Sequence, residues 1–192
     1  KYSFAAKLKN GRVVTWGEDT WGGDSSSVQE QLVDVDYIQS NQHAFAAKLK
    51  NGRVVTWGKG TSGGNSRSVK SQLRDVVAIY STPSAFAAKL SNGRVVTWGD
   101  ADTGGDSDDV KNELMKVDSI YSTSTAFTAK LSNGRVPVTW GYIPGTGDNS
   151  FLRNDLQDVD AIYTSDSAFA AKLNCGRVVT WGVSDHGGDS SL

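Results

Sequence analysis

A fourteen-residue phrase, FAAKLKNGRVVTWG, starts at Phe4 and returns with few changes at Phe45, Phe86, Phe127 and Phe169. The steps are 41, 41, 41 and 42 residues, the last lengthened by Pro137, which makes the fourth copy read RVPVTWG where the others read RVVTWG. A period of this size marks a repeat architecture, in which each unit is too small to bury an apolar face alone and must bury it against its neighbours. The 41-residue repeat that carries the phrase is therefore the unit of folding, and residues 1–192 read as one repeat domain whose first and last units are incomplete. A complete fifth unit needs about 17 further residues, so the chain is expected to be part of a longer protein.

Within a unit, the small and large residues of AFAAKL, the pair NG and then RVVTW describe two antiparallel strands around a tight turn. Asn10-Gly11, Asn51-Gly52, Asn92-Gly93 and Asn133-Gly134 supply residues that tolerate a positive φ. A two-residue turn would set Lys9 opposite Arg12, at a cost of up to about 1 kcal/mol. A three-residue loop with Gly11 in the left-handed region instead pairs Phe4 with Trp16, Ala6 with Val14 and Leu8 with Arg12, gathering the large apolar residues on one face. That register is the expectation. The alanines allow sheets to approach closely, while Trp16, Trp57, Trp98, Trp140 and Trp181 fill the wider outer space.

Each Trp-Gly is followed by a glycine-rich loop, a short segment such as SVQEQL and an apolar stretch such as VDYIQS. Asp24 or Ser27 can cap a short helix that turns Val28 and Leu32 inward together. The stretch from Val35 to Ile38 then opens the next sheet. The expected fold is all-β: a β-propeller of 41-residue repeats, with five hairpin copies and a short helical turn per repeat.

IYSTSTAFTAKLSNGRV followed by VTWG resembles the repeat of the regulator-of-chromosome-condensation family, and the resemblance runs through essentially the whole chain. It implies a closed ring of blades, seven in that family, and repeats of about 40 residues are similar to the compact kind found in a bacterial β-lactamase-inhibitory propeller. The chain departs from the family where Gly-Gln-Leu-Gly is replaced by Gly-Gly-Asp-Ser, and where the family's histidine before the second strand occurs once, as His43. The nucleotide-exchange role of the founding member needs a specialised insertion that no repeat here carries, so it is not transferred.

Signals for chemistry are sparse. The two histidines, His43 and His186, both fall in loops, and Ser184-Asp185-His186 is a run in sequence, whereas catalytic triads form by convergence in space. Asp100, Asp102 and Asp106 suggest a calcium loop, but Gly104 and Lys111 stand where an EF-hand needs ligands. The expectation is therefore no enzyme, no metal and no cofactor. A net charge of -1 argues against a nucleic-acid partner, and no apolar run approaches the ~20 residues of a membrane helix.

Two sets of cations repeat faithfully: Lys7, Lys48, Lys89, Lys130 and Lys172 in the strands, and Arg12, Arg53, Arg94, Arg135 and Arg177 at the turns. With NG turns at one end of every hairpin and Trp-Gly loops at the other, one face of the ring becomes basic and the other acidic. The lysine stems can simply cover blade surface, or the face can attract anions.

Function points to what differs between copies. The loops after Trp-Gly read EDTW, KGTS, DADT, YIPGT and VSDH, while strands and turns hardly change, and loops on a rigid scaffold are where recognition resides. Asp19, Trp21, Asp100, Asp102, Tyr142, Ile143 and His186 are the candidate partner-binding residues, with Trp21, Tyr142 and Ile143 as apolar anchors. The leading reading is a non-enzymatic protein-binding module, a scaffold or linker subunit of a larger assembly. The alternative is a carbohydrate-binding or adhesive surface protein.

Overall fold

The computed structural model describes residues 2–132, 137–143, 152 and 154–190. Asn133, Gly134 and Arg135 of the fourth turn lie outside the described residues. In chain order, β1 (Ser3–Lys7) and β2 (Val13–Gly17) form a two-stranded sheet. Four three-stranded antiparallel blades follow: β3 (Val35–Ser40), β4 (Ala44–Leu49) and β5 (Val54–Gly58); β6 (Val76–Ser81), β7 (Ala85–Leu90) and β8 (Val95–Gly99); β9 (Val117–Ser122), β10 (Ala126–Leu131) and β11 (Val138–Gly141); β12 (Val159–Thr164), β13 (Ala168–Leu173) and β14 (Val178–Gly182). The fold is an all-β repeat propeller, and each apolar stretch between hairpins is the first strand of the next blade.

The hairpin register is the expected one. Phe4 pairs with Trp16 and Ala6 with Val14, Leu8 N–H donates to the Arg12 carbonyl at 2.7 Å, and Gly11 has φ +82°. The Asn10 side chain accepts from Arg12 N–H at 3.1 Å, closing the loop. Each register stacks its Phe on its Trp, with ring centroids 5.2 to 5.3 Å apart in all five hairpins.

The core lies between blades. Phe86 and Trp98 of the third hairpin pack on Ala44 and Ala46 of the second, and Phe127 and Trp140 of the fourth pack on Ala85 and Ala87 of the third. Methyl side chains let the sheets approach until the next blade's rings fill the gap, at the packing density of protein interiors. Along the first strands of successive blades, Ile79 N–H donates to the Tyr37 hydroxyl at 2.8 Å, Ser81 Oγ to the Ser40 carbonyl and Ser122 Oγ to the Ser81 carbonyl. These bonds join equivalent edges, so the described hairpin turns point to one face and the described Trp-Gly loops to the other.

The connecting segment is a 3-10 helix in the first repeat, Ser26–Gln31. Its N-cap is Ser25 rather than Asp24 or Ser27, and Ser25 caps without a side-chain bond to the helix backbone. The Ser25 hydroxyl is instead 2.9 Å from Thr15 Oγ1, tying the segment to β2, while Asp24 accepts from Ser26 N–H at 2.7 Å. Val28 and Leu32 join the same core cluster, as their spacing predicts.

One glycine per loop forms the joint between blades. Gly22, Gly63 and Gly104 have φ between +91° and +96°. Their carbonyls accept the indole N–H of Trp57, Trp98 and Trp140 in the following blade at 3.0 to 3.1 Å. A Cβ on Gly63 would lie 2.5 Å from a ring carbon of Phe86. Gly63→Val should therefore lower stability by at least about 2 kcal/mol, whereas Gly60→Ala, whose Cβ meets its nearest atom at 3.7 Å, should change it by less than about 0.5 kcal/mol. Urea unfolding midpoints of the two variants check this.

Candidate functional site

The Trp-Gly face is built by backbone bonds that do not depend on side-chain identity. The first residue of each loop donates its N–H to the carbonyl just before the hairpin: Glu18 to Tyr2, Lys59 to His43, Asp100 to Ser84, Tyr142 to Thr125 and Val183 to Ser167, at 2.9 to 3.1 Å. A side chain near the start of the hairpin then holds the loop's last residue before its glycine. Ser3 donates to the Trp21 carbonyl at 2.7 Å, Asn41 to Ser62 at 2.7 Å, Thr82 to Thr103 at 2.9 Å and Ser165 to His186 at 3.1 Å. Gln42 N–H to the Pro83 carbonyl and Ser124 N–H to the Asp166 carbonyl continue the face from blade to blade. The backbone is fixed, and the side chains it displays are free to differ.

Those differences bring aromatic rings together at the first loop. Trp21 is half-buried, with Tyr2 edge-on at 4.5 Å between ring centroids and His43 edge-on at 4.8 Å. Tyr2 is 68% exposed. Tyr2 and His43 hold the same position in consecutive repeats, and Trp21 stands on the loop between them. The sequence reading found Trp21 but missed Tyr2 and Pro83 and did not group His43 with them. The signal for Tyr2 and His43 was present, because their position carries a small polar residue in later copies, as Ser84, Thr125 and Ser167.

Burial pushes the His43 pKa down from its ordinary value, with Lys59 adding to the shift and the Pro83 carbonyl, hydrogen-bonded to the ring, opposing it. Nδ1 is buried without a hydrogen-bond partner, as suits a neutral imidazole that gives its one proton to Pro83. Asp19, Asp102 and His186 are exposed and Asp100 is half-exposed, each on its own loop end. Tyr142 is 59% exposed, its N–H also bonded to the Asp102 carbonyl at 3.1 Å, so Asp102 and Tyr142 lie together in the structure. The expectation for Ile143 is corrected: it is 7% exposed and packs with Leu156, Phe169 and Trp181 in the core between the last two blades. An isoleucine within reach of a core gap gains more from filling it than from waiting in water for a partner. The structure thus places five of the seven candidates on exposed or half-exposed loop positions singly or in pairs, Trp21 in an aromatic patch and Ile143 in the core.

The repeated lysines are largely consumed by the fold. Lys7, Lys89 and Lys130 reach the next blade, donating to the carbonyls of Asp36, Asp118 and Asp160. Lys48 pairs with the Asp36 carboxylate at 2.8 Å and holds its pKa below the usual carboxylate value. Lys172 pairs with Asp160 at 3.0 Å. Among the described residues no group of three His, Cys, Asp or Glu side chains could hold a metal ion, and no helix is long and apolar enough to cross a membrane.

No protein-family model matches the sequence, and no curated protein matches it. Several solved structures share its fold. Human WBSCR16 superposes with a TM-score of 0.59 at 15% identity, over 95% of this chain and 60% of that one. Yeast RCC1 (Prp20), solved bound to Kap60, gives 0.56 at 17% identity over 82% of this chain and 45% of that one. The ectodomain of the Physcomitrella patens receptor kinase CR4 gives 0.53 at 17% identity over 91% and 44%. The chain thus spans between 44% and 60% of the length of these three structures.

The His43 geometry sets a pH dependence. A histidine whose folded pKa lies below its unfolded value binds fewer protons in the fold, so stability is fully present above about pH 6.5 and declines as pH falls from there to the folded pKa. Between pH 7 and pH 5 the urea midpoint should drop further in the native protein than in His43→Gln.

The geometry of this face, taken with the structural likenesses, makes the chain an all-β repeat propeller whose variable side chains stand on an invariant backbone.

Proposed function

We propose that the chain is a non-enzymatic protein-binding module that engages its partner through the Trp-Gly face, as a scaffold or linker subunit of a larger assembly. The Tyr2–Trp21–His43 patch carries this reading. It combines aromatic area with polar tips, the composition of residues that dominate binding energy, and it is held against the scaffold so that little entropy is lost on docking. Asp19 shares the Trp21 loop, and the loops of the third and fourth repeats add Asp100, Asp102 and Tyr142 to the same face, polar and acidic groups suited to a partner with basic side chains. Propellers of the same fold bind proteins: yeast Prp20 is solved with Kap60, and its binding to Gsp1p and histones has been examined. The carbohydrate reading calls for a flat open ring repeated from blade to blade, whereas Trp21 is half-buried between two rings and Ser62, Thr103 and His186 occupy its place in other repeats.

Native mass spectrometry of the protein gently isolated from its source should show a stoichiometric protein partner, with an interface on the order of 1,200–2,000 Å². Trp21→Ala should weaken that complex by about 2 kcal/mol or more, roughly thirtyfold in Kd, while the protein stays folded with a stability loss of about 1 kcal/mol from the two ring contacts. Unaltered affinity in both Trp21→Ala and Tyr142→Ala would place the partner elsewhere and overturn the reading.

A further inference from the structure

The second repeat carries a feature on the opposite face that the first and third repeats lack. Arg53 stands at the NG turn of β4–β5, and Arg67, Lys70 and Arg74 stand on the segment that leads to β6. The four cations rim a cleft of about 430 Å³ floored by Val54 and Leu73, and no acidic residue lines it. None of the four side chains makes an ion pair among the described residues.

Equivalent positions elsewhere show what a resting version of this cleft looks like. In the first repeat Arg12 is followed by Ser26, Gln29 and Val33, and the Gln29 side chain closes the space by donating to the Val13 carbonyl at 3.0 Å. In the third repeat Arg94 is followed by Asp108, Lys111 and Met115, and Asp108 neutralises Lys111 at 3.1 Å. Only the second repeat, of these three, replaces every neutral or acidic partner with a cation. Four like charges left facing one cleft repel one another, and an anion relieves that repulsion.

The cations sit on a braced backbone. Ser66, 8% exposed, bonds Thr56 Oγ1 at 3.0 Å. Arg67 N–H is held by the Asn65 side chain at 3.1 Å, and Leu73, 2% exposed, anchors the other end in the core. Guanidinium forks match phosphate oxygens in pairs, and three of them with one ammonium suit a phosphate group carrying more than one charge. We propose that this cleft is a binding site for a phosphate-bearing ligand, independent of the protein-binding face.

Pyrophosphate is the probe, followed by calorimetric titration of the 192-residue chain at low ionic strength. We expect saturable one-to-one binding that weakens as salt is raised. Arg67→Asp, which installs the residue that the third repeat already carries as Asp108, should weaken it at least tenfold, and so should Lys70→Gln. Arg94→Gln, the matching turn arginine of the next repeat, should leave it unchanged. Circular dichroism of each variant establishes that it is folded. Absence of saturable binding at millimolar pyrophosphate overturns the proposal, as does an equal loss in Arg94→Gln, which would mean general surface attraction. Citrate binding as tightly as pyrophosphate overturns the phosphate assignment. Vesicles of phosphatidylcholine with phosphatidic acid locate the phosphate: cosedimentation abolished by Arg67→Asp places it on a lipid headgroup, and pyrophosphate binding without cosedimentation places it on a soluble molecule.

Discussion

The bond from a tryptophan indole to a glycine carbonyl in the preceding loop holds successive blades in place. It is made at Trp57, Trp98 and Trp140, and it requires a glycine twice over, for the positive φ and for the ring carbons of the next phenylalanine that lie where a Cβ would stand. A buried indole N–H left without an acceptor costs about 1–3 kcal/mol, so the bond fixes the spacing between sheets as well as their attachment. Trp181 Nε1 is buried without a partner among the described residues. At the other end Phe4 and Trp16 are more than half exposed, because no preceding loop covers them in this structure.

The joint explains why loops in this chain can vary without loss of fold. Each loop is held at its first residue by a backbone bond, and four of them at their last residue by a carbonyl, neither of which reads a side chain of the loop. Selection on packing therefore falls on glycine, phenylalanine, tryptophan and alanine, and leaves positions such as Tyr2, Trp21 and His43 open to other demands. The same division orders the charges. Lysines that recur in every copy are bonded to carbonyls and carboxylates of the strands, so recurrence there reports structure. Arg67 and Arg74 break the pattern of the first and third repeats, and neither they nor Lys70 is in an ion pair among the described residues.

Most of the fold was legible because repetition converts local rules into global ones. Like-charge repulsion between Lys9 and Arg12 selected the three-residue turn, and the alternation of alanine with large residues indicated sheets in close contact. What stayed hidden depended on geometry between units. No local rule says that Gly22 accepts a bond from Trp57, since 35 residues separate them. Asp34, Asp75, Lys116 and Asp158 adopt positive φ values of 54° to 58° just before each inner strand, where their carbonyls accept from Lys50, Ser91, Ser132 and Asn174. Aspartate tolerates that conformation, but a lysine in one copy gave no warning of it. Ile143 was misread because it stands in a loop that differs between copies, where its counterparts Asp19, Ala101 and Ser184 are exposed, and nothing local shows that an isoleucine there reaches a core gap. The site was partly legible for the same reason inverted: the repeats served as controls for one another, and departures marked what packing did not require.

The two faces carry different kinds of chemistry, and the direction of the strands is the cause. Antiparallel hairpins that all point one way must gather their NG turns, with an arginine after each, on one side and their glycine-rich loops on the other. The turn arginines cannot leave the basic face without breaking the register that pairs Leu8 with Arg12, so that face stays positive wherever a carboxylate is not supplied. Arg177 finds one in Asp155 at 3.1 Å, and the third repeat supplies Asp108 to the neighbouring Lys111. In the second repeat the structure supplies none to the cleft, and a scaffold that elsewhere quenches its own charge keeps four cations available there. The Trp-Gly face and the basic cleft lie on opposite sides of one array, so a ligand on one does not compete for surface with a ligand on the other.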